Sequence, residues 1–462
     1  MNRLNVAMSL NDSKEVIVVG GGVAGLLCAL LLQDHHHQVT LIEKSSELGG
    51  MFQSRKGACG AWFDRGYRMI AMTGIEEVDE LMVDAQMRRS HQAYMDIKAA
   101  SYFRGALRLS PGLDATLLSP AQYRQGLEQY SQAKDSGGIY DNCEEQLLSE
   151  FGEIYVEEIL RPVLTKFTRH RLSDLAHDAH HQFGLLFADA ASQRVCQQHQ
   201  ASSNVVLQLP VSGPRFHYPK EEVINRWIEQ LEEKLRRLGV TIIQEQGVAS
   251  LVETVDGRVR VHLEDGHEIE TGALFWTAPT GLLFKVIDQP VHWNTPEPQR
   301  LSITLHHMAF DQDLLAEFSN LLCYDDSVAP WRVTLWQNIQ PSRLPNVGHL
   351  TAETTACLGN GESATPERIQ SDLVRMGVVP QTARLKEYQR QELRGALPIY
   401  SRAFEARMHE ETEFIESHFQ NVIIPNRLST KTFFSNQTLP STYGVLQEYL
   451  LDTASTPLRT FS

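Results

Sequence analysis

The chain has no CxxC pair. Its six cysteines, Cys28, Cys59, Cys143, Cys196, Cys323 and Cys357, stand far apart, which favours free thiols in a reducing compartment over a disulfide frame or a zinc site. No apolar run is long enough to span a bilayer: the longest, around Val23–Leu32, falls far short of the roughly 20 residues a membrane helix needs. The opening segment MNRLNVAMSLNDSKE lacks the apolar stretch of a secretory signal, so a cytoplasmic protein is expected. Positive charge is also short. With 42 Lys and Arg against 57 Asp and Glu, the formal charge of -15 argues against a nucleic-acid partner, because phosphate backbones need a basic surface. A small anionic substrate remains open, since a few arginines in a cleft outweigh the mean field locally. No GxSxG, no Ser-His-Asp order, no internal repeat and no low-complexity tract occurs.

What the chain does have is concentrated near its start. At 462 residues it is long enough for two or three domains. EVIVV is a short β-branched run of the kind buried on both faces in a parallel sheet. It leads into GGGVAG, residues Gly20 to Gly25, a GxGxxG. There Gly20 permits the tight turn, Gly22 lets main chain approach a pyrophosphate, and Gly25 lets the helix pack on the strand. The helix start, with Val23 and Ala24, offers free N–H groups and the positive end of its dipole to phosphates. HQVTLIE reads as the next strand, and Glu43 at its end is placed to accept hydrogen bonds from ribose hydroxyls. An acid there disfavours the 2′-phosphate of NADP.

The residues after Glu43 separate NAD from FAD. EKSSELGGMFQSRKGACGAWFDRGYRMI adds Gly49-Gly50 soon after the acid, then Phe63-Asp64-Arg65-Gly66. This resembles the second FAD-contacting stretch of the amine oxidase, protoporphyrinogen oxidase and UDP-galactopyranose mutase superfamily, where an FDxG segment passes the isoalloxazine. Paired glycines suit main chain lying close to a flat ring system. FAD is therefore the expected cofactor, with contacts at Gly20, Gly22, Val23, Ala24, Gly25, Glu43, Lys44, Gly49, Gly50, Met51, Arg65 and Gly66.

The same resemblance implies an α/β fold: a discontinuous Rossmann-type FAD-binding domain built from 14–75, 215–282 and 396–462, a helical insert at 76–214, and a mixed α+β substrate-domain segment at 283–395. Residues 76–210 read as largely helical, from apolar spacing in GIEEVDELMVDAQM and CEEQLLSEFGEIYVEEILRPVLTKF. FHYPKEEVINRWIEQLEEKLRRLGV carries an apolar stripe stopped at Gly239, and strands come next with turns at Asp256-Gly257 and Asp265-Gly266. Main chain at Val248 is expected at the adenosine end. Near the C-terminus, relatives of the mutase kind carry Gly-Arg-Leu-Gly; here Asn426-Arg427-Leu428-Ser429 stands in its place, so Arg427 is kept and both glycines are lost.

For substrate contacts the candidates are Arg332, Arg68 and Tyr400. Arg332, in DDSVAPWRVTLWQN, resembles the arginine that UDP-galactopyranose mutases and related polysaccharide-biosynthesis flavoproteins turn towards the substrate diphosphate. A planar fork of donors suits a phosphate; the alternative is an exposed strand arginine paired with Asp325 or Asp326. If Arg332 serves substrate alone, its loss should leave stability unchanged. Arg68 either holds an anion near the flavin or forms a salt bridge at a domain junction. Tyr400 either lines a pocket or is core, and Lys166 is expected to be solvated at a helix end. His35-His36-His37 and the His177–His181 helical pair lack ligand partners, so no metal is expected. No residue is singled out as catalytic. The implied activity is hydride transfer from a small, anionic or nucleotide-sugar-like substrate to flavin. The alternatives are a non-redox flavoenzyme of the mutase type and a degenerate FAD-binding protein.

Overall fold

The computed structural model describes residues 15–133, 138–183, 187–188, 215–220, 223–288, 291–340, 344–357, 364–425 and 435–455. Its organising element is a five-stranded parallel sheet drawn from distant parts of the chain. The order across it is Thr241–Ile243, β2 (Gln38–Ile42), β1 (Glu15–Val19), Ala273–Trp276 and Val422–Ile423. In β1 every residue after Glu15 is buried, as a β-branched run covered on both faces requires. Helix α1 (Val23–Asp34) is buried at every position from Ala24 to Leu32, so it shows no polar stripe. It packs against β1 and β2 and against the long helix Ser435–Ser455, whose Tyr449 also meets Phe275 of the sheet. α1 stops where His36 takes a positive φ of 65°, and the chain turns back into β2.

A second, seven-stranded sheet has Arg300–Phe310 and Gly348–Cys357 at its centre, with Leu385–Pro398 on one side. On the other side lie Arg332–Leu335, Asn320–Cys323, Ala99–Phe103 and Ala106–Arg108, in that order. The last two strands correct the reading of 76–210 as largely helical. Residues 91–114 contain four strands, two of which extend this sheet, with Ala99–Phe103 running parallel to Asn320–Cys323. The reason lies in partners remote in sequence: AASYF is a buried β-type run that has a sheet edge to join.

Alternation along Arg300–Phe310 divides this sheet between three neighbours. Met308 and Phe310 enter a core with the helix Pro366–Arg375. On the opposite face, Leu301, Ile303 and Leu305 meet a helical lobe that includes Cys143–Tyr155 and Arg161–Thr168. Further along that same face, Ala309 joins the core around α1 and the His307 ring lies tilted, 5.1 Å from Phe63. One face of one sheet thus passes from the lobe to the parallel-sheet domain. Among the described residues no helix is long and apolar enough to cross a membrane.

Candidate functional site

The turn after β1 is held from all sides by backbone. Gly20 N–H donates to the Ile42 carbonyl at 2.8 Å, Gly49 N–H to the Gly21 carbonyl at 2.7 Å, and Gly22 bridges to Gly49. A Cβ at Gly25 would stand 1.8 Å from the Gly20 carbonyl oxygen, so only glycine lets α1 start so close to β1. Gly22 is the opposite case: a Cβ there would meet nothing within 4 Å. The turn is closed against protein at Gly25 and open at Gly22, where the first-turn N–H groups of Val23 and Ala24 begin. Glu43 accepts from Gly21 N–H at 2.6 Å and from Ser45 N–H at 2.8 Å, which fixes its half-buried carboxylate at the end of β2. Beside it, Gln246 donates its N–H to the Glu43 carbonyl at 3.2 Å, while its side-chain oxygen is buried with no partner. An open face at the helix start and an unpaired acceptor next to Glu43 fit an adenine dinucleotide. Lys44 does not add to this set, because its ammonium pairs on the surface with Glu264 at 2.7 Å. Val248 is half-buried at the start of the strand Val248–Glu253.

Arginines tie this turn to the Phe63–Gly66 segment. Arg65 Nη1 donates to the Gly50 carbonyl at 3.1 Å, and Arg68 donates from Nε to the Met51 carbonyl at 3.2 Å and from Nη1 to the Tyr67 carbonyl at 2.8 Å. Asp64 lies fully buried between Ser54 Oγ at 2.6 Å and Tyr218 OH at 2.7 Å. With hydroxyls rather than a cation as contacts, burial pushes its carboxyl up to about 7.

Over this segment stands the second sheet. Arg332 pairs with Glu353 directly across the strand register, through Nε–Oε1 at 2.9 Å and Nη2–Oε2 at 2.8 Å, with side chains 11% and 1% exposed. Neither Asp325 nor Asp326 is its partner; Asp325 accepts instead from the N–H groups of Gly105 and Ser327. The Arg332 guanidinium rests 4.5 Å from the Trp331 ring centroid, and Glu353 comes within 3.4 Å of the Tyr67 N–H. Arg68 is half-buried, and desolvation together with the charge of Arg332 pushes it down to about 10. Arg332 thus takes the carboxylate of Glu353 while Arg68 donates to main-chain carbonyls, and Nη1 of Arg332 and Nη2 of Arg68 have no partner among the described residues. Because the Arg332–Glu353 pair is buried, loss of Arg332 should cost stability, where the sequence led us to expect no change.

Three further readings are decided by the structure. Tyr400, 3% exposed, stacks on Phe404 at 5.1 Å within the helical-lobe core, which makes its ring a packing element. Lys166 is buried, 6% exposed, rather than solvated. His177 precedes a short 3-10 turn, Ala179–Phe183, so His177 and His181 do not share an α-helix. Among the described residues there is no group of three or more His, Cys, Asp or Glu able to hold a metal ion. Arg427 lies outside the described residues. Sequence reasoning missed Glu353, Tyr218 and the burial of Lys166. Glu353 had a faint signal as the one acid in the strand GHLTAETTAC, but its pairing with Arg332 depends on strand register.

Residues 18–84 match the model of the NAD(P)-binding Rossmann-like domain. A reduced UDP-galactopyranose mutase superposes with a TM-score of 0.75 at 13% identity, over 96% of this chain and 96% of that one. A protein from Exiguobacterium sp. 255-15, provisionally called a protoporphyrinogen oxidase, gives 0.67 at 18% identity, over 95% and 99%. A CLA-producing fatty acid isomerase from P. acnes gives 0.60 at 13% identity, over 94% and 98%. No curated protein matches this chain in sequence. At these identities the likeness establishes a shared fold, a Rossmann-like unit joined to a large-sheet unit, of which the glycine turn and the FDRG segment led us to expect the α/β class and the Rossmann-type unit.

Proposed function

We propose that the chain is an FAD-dependent oxidoreductase whose substrate is small and anionic, a phosphate- or carboxylate-bearing molecule such as a nucleotide sugar. The observation that carries this reading is the pair Arg332 and Arg68: one guanidinium buried on Glu353 and one half-buried on main-chain carbonyls, each with a donor to spare, set against the Asp64–Tyr67 segment that comes after the dinucleotide turn. A surplus of positive charge partly withdrawn from water is completed by an anion. Preference for FAD over a nicotinamide rests on the paired Gly49-Gly50 and on the tie from Gly50 through Arg65 to the FDRG segment.

Bound FAD would supply a two-electron acceptor for a hydride from a C–H next to nitrogen or oxygen. The chain's own part is binding and orientation. N–H groups of Gly22, Val23 and Ala24 hold the diphosphate, Glu43 and Gln246 take the adenosine end, and the free nitrogens of Arg332 and Arg68 hold the substrate anion. With its side chain only 11% exposed, Arg332 is largely withdrawn from water, which strengthens its charged contacts. A mutase-type, non-redox use of the same site is the second reading, favoured by the superposition on a UDP-galactopyranose mutase across 96% of both chains.

The test has two steps. Released cofactor should be FAD; NAD or FMN, or a colourless protein that cannot be reconstituted, overturns the reading. Binding of inorganic pyrophosphate, monitored by the flavin difference spectrum, should then weaken about tenfold or more in Arg332→Gln/Glu353→Gln, which removes both charges together. Turnover that requires prior reduction of the flavin and returns it unchanged selects the mutase-type reading.

A further inference from the structure

Lys166 is a buried charge with no task in holding either the dinucleotide or the substrate anion. It sits on the helix Arg161–Thr168 of the lobe and donates to three main-chain carbonyls: Cys323 at 2.8 Å, Asp325 at 2.7 Å and Pro330 at 2.8 Å. An ammonium has three N–H bonds, so the set is complete. Among the described residues no carboxylate touches it, and burial pushes its pKa down to about 8. A buried ammonium without a counter-ion in contact is costly, so its position needs a reason. The three carbonyls span the connection from the strand Asn320–Cys323 to the strand Arg332–Leu335, and they end one residue before Trp331. The next residue on the same helix, Phe167, packs edge-on against the Trp331 ring at 5.7 Å, and that ring carries the Arg332 guanidinium at 4.5 Å. Consecutive side chains of one lobe helix therefore hold the backbone that leads to Arg332 and the ring on which it rests.

We propose that Lys166 is the positioning residue of the anion site: its three hydrogen bonds clasp residues 323–330 so that Arg332 keeps its fork on Glu353 and its free nitrogen towards the substrate. This rests on the reading of Arg332 as an anion contact. The tetrahedral donor set matters, because a planar guanidinium cannot place three N–H bonds on three carbonyls arranged around a point.

The experiment uses the FAD-loaded full chain with inorganic pyrophosphate as probe. Lys166→Ala should raise the pyrophosphate Kd about ten- to a hundredfold, as a displaced binding group does, while FAD content stays at the wild-type level. Propylammonium should restore binding in Lys166→Ala, and tetramethylammonium at equal ionic strength, which has no N–H, should not. Equal rescue by both, or by neither, overturns the donor role. If Arg332→Gln/Glu353→Gln binds the probe as wild type does, the anion-site reading itself fails; if that variant weakens and Lys166→Ala does not, only the Lys166 proposal fails. Should Lys166→Ala not fold, Lys166→Met keeps the apolar stem and removes the three N–H donors. A Kd raised about tenfold or more at wild-type FAD content then supports the proposal, and an unchanged Kd overturns it.

Discussion

The dinucleotide turn at Gly20–Gly50 and the charged patch at Arg332–Glu353 are built in opposite ways. The first is made of main chain: its shape depends on where a Cβ is forbidden, as at Gly25, and where one would point into open space, as at Gly22. The second is made of side chains that meet through strand pairing, Arg332 opposite Glu353 and both over Tyr67. A site of backbone can be read in one short stretch, because adjacent residues shape it. A site of side chains brought together by a sheet has no local signature.

The sharpest way to break the comparison is within the turn itself. Gly25→Val places atoms inside the Gly20 carbonyl and should abolish folding, seen as loss of the cooperative thermal transition. Gly22→Val has free space and should leave the apoprotein's melting point near wild type while abolishing FAD uptake. Equal loss of stability in both variants would show that Gly22 is packing and not cradle.

Glu353→Ala tests the side-chain site. It strands a guanidinium in the interior and should cost about 3–5 kcal/mol in denaturant unfolding. In a double-mutant cycle much of that loss should vanish when Arg332 is also removed. Independent, additive losses would mean that the pair is not coupled.

A smaller effect is expected from Asp64. Its carboxyl is raised from 3.8 to about 7 by burial, so between those values the folded protein keeps a proton that the unfolded chain has released. Stability contributed by Asp64 is therefore present at low pH and lost as pH rises through that window, by about 2–4 kcal/mol at most. Asp64→Asn should flatten the stability profile between pH 4 and 7 relative to wild type. A parallel profile in the variant would assign the slope to other groups.

The first forty residues of the described chain carried most of what was readable. EVIVV, GGGVAG and HQVTLIE became β1, the turn with α1, and β2, because each depends on contacts within a few residues and on burial on both faces. AASYF was passed over as part of a helical insert because its partner strand, Asn320–Cys323, lies more than two hundred residues away. Tyr400 was open between pocket and core, and only the position of Phe404 and the lobe settled it as core.

By itself the sequence determined the dinucleotide turn, the acid that closes it and the class of fold, since glycine spacing, β-branched runs and helix starts act through short-range sterics and hydrogen bonds. Tertiary structure alone decided that Arg332 is spanned by Glu353 rather than by Asp325 or Asp326, and that Lys166 is buried in a clasp of carbonyls. The physical reason is that a charge's partner, and the cost of its burial, are set by register and by what covers it; neither is written in the residues on either side.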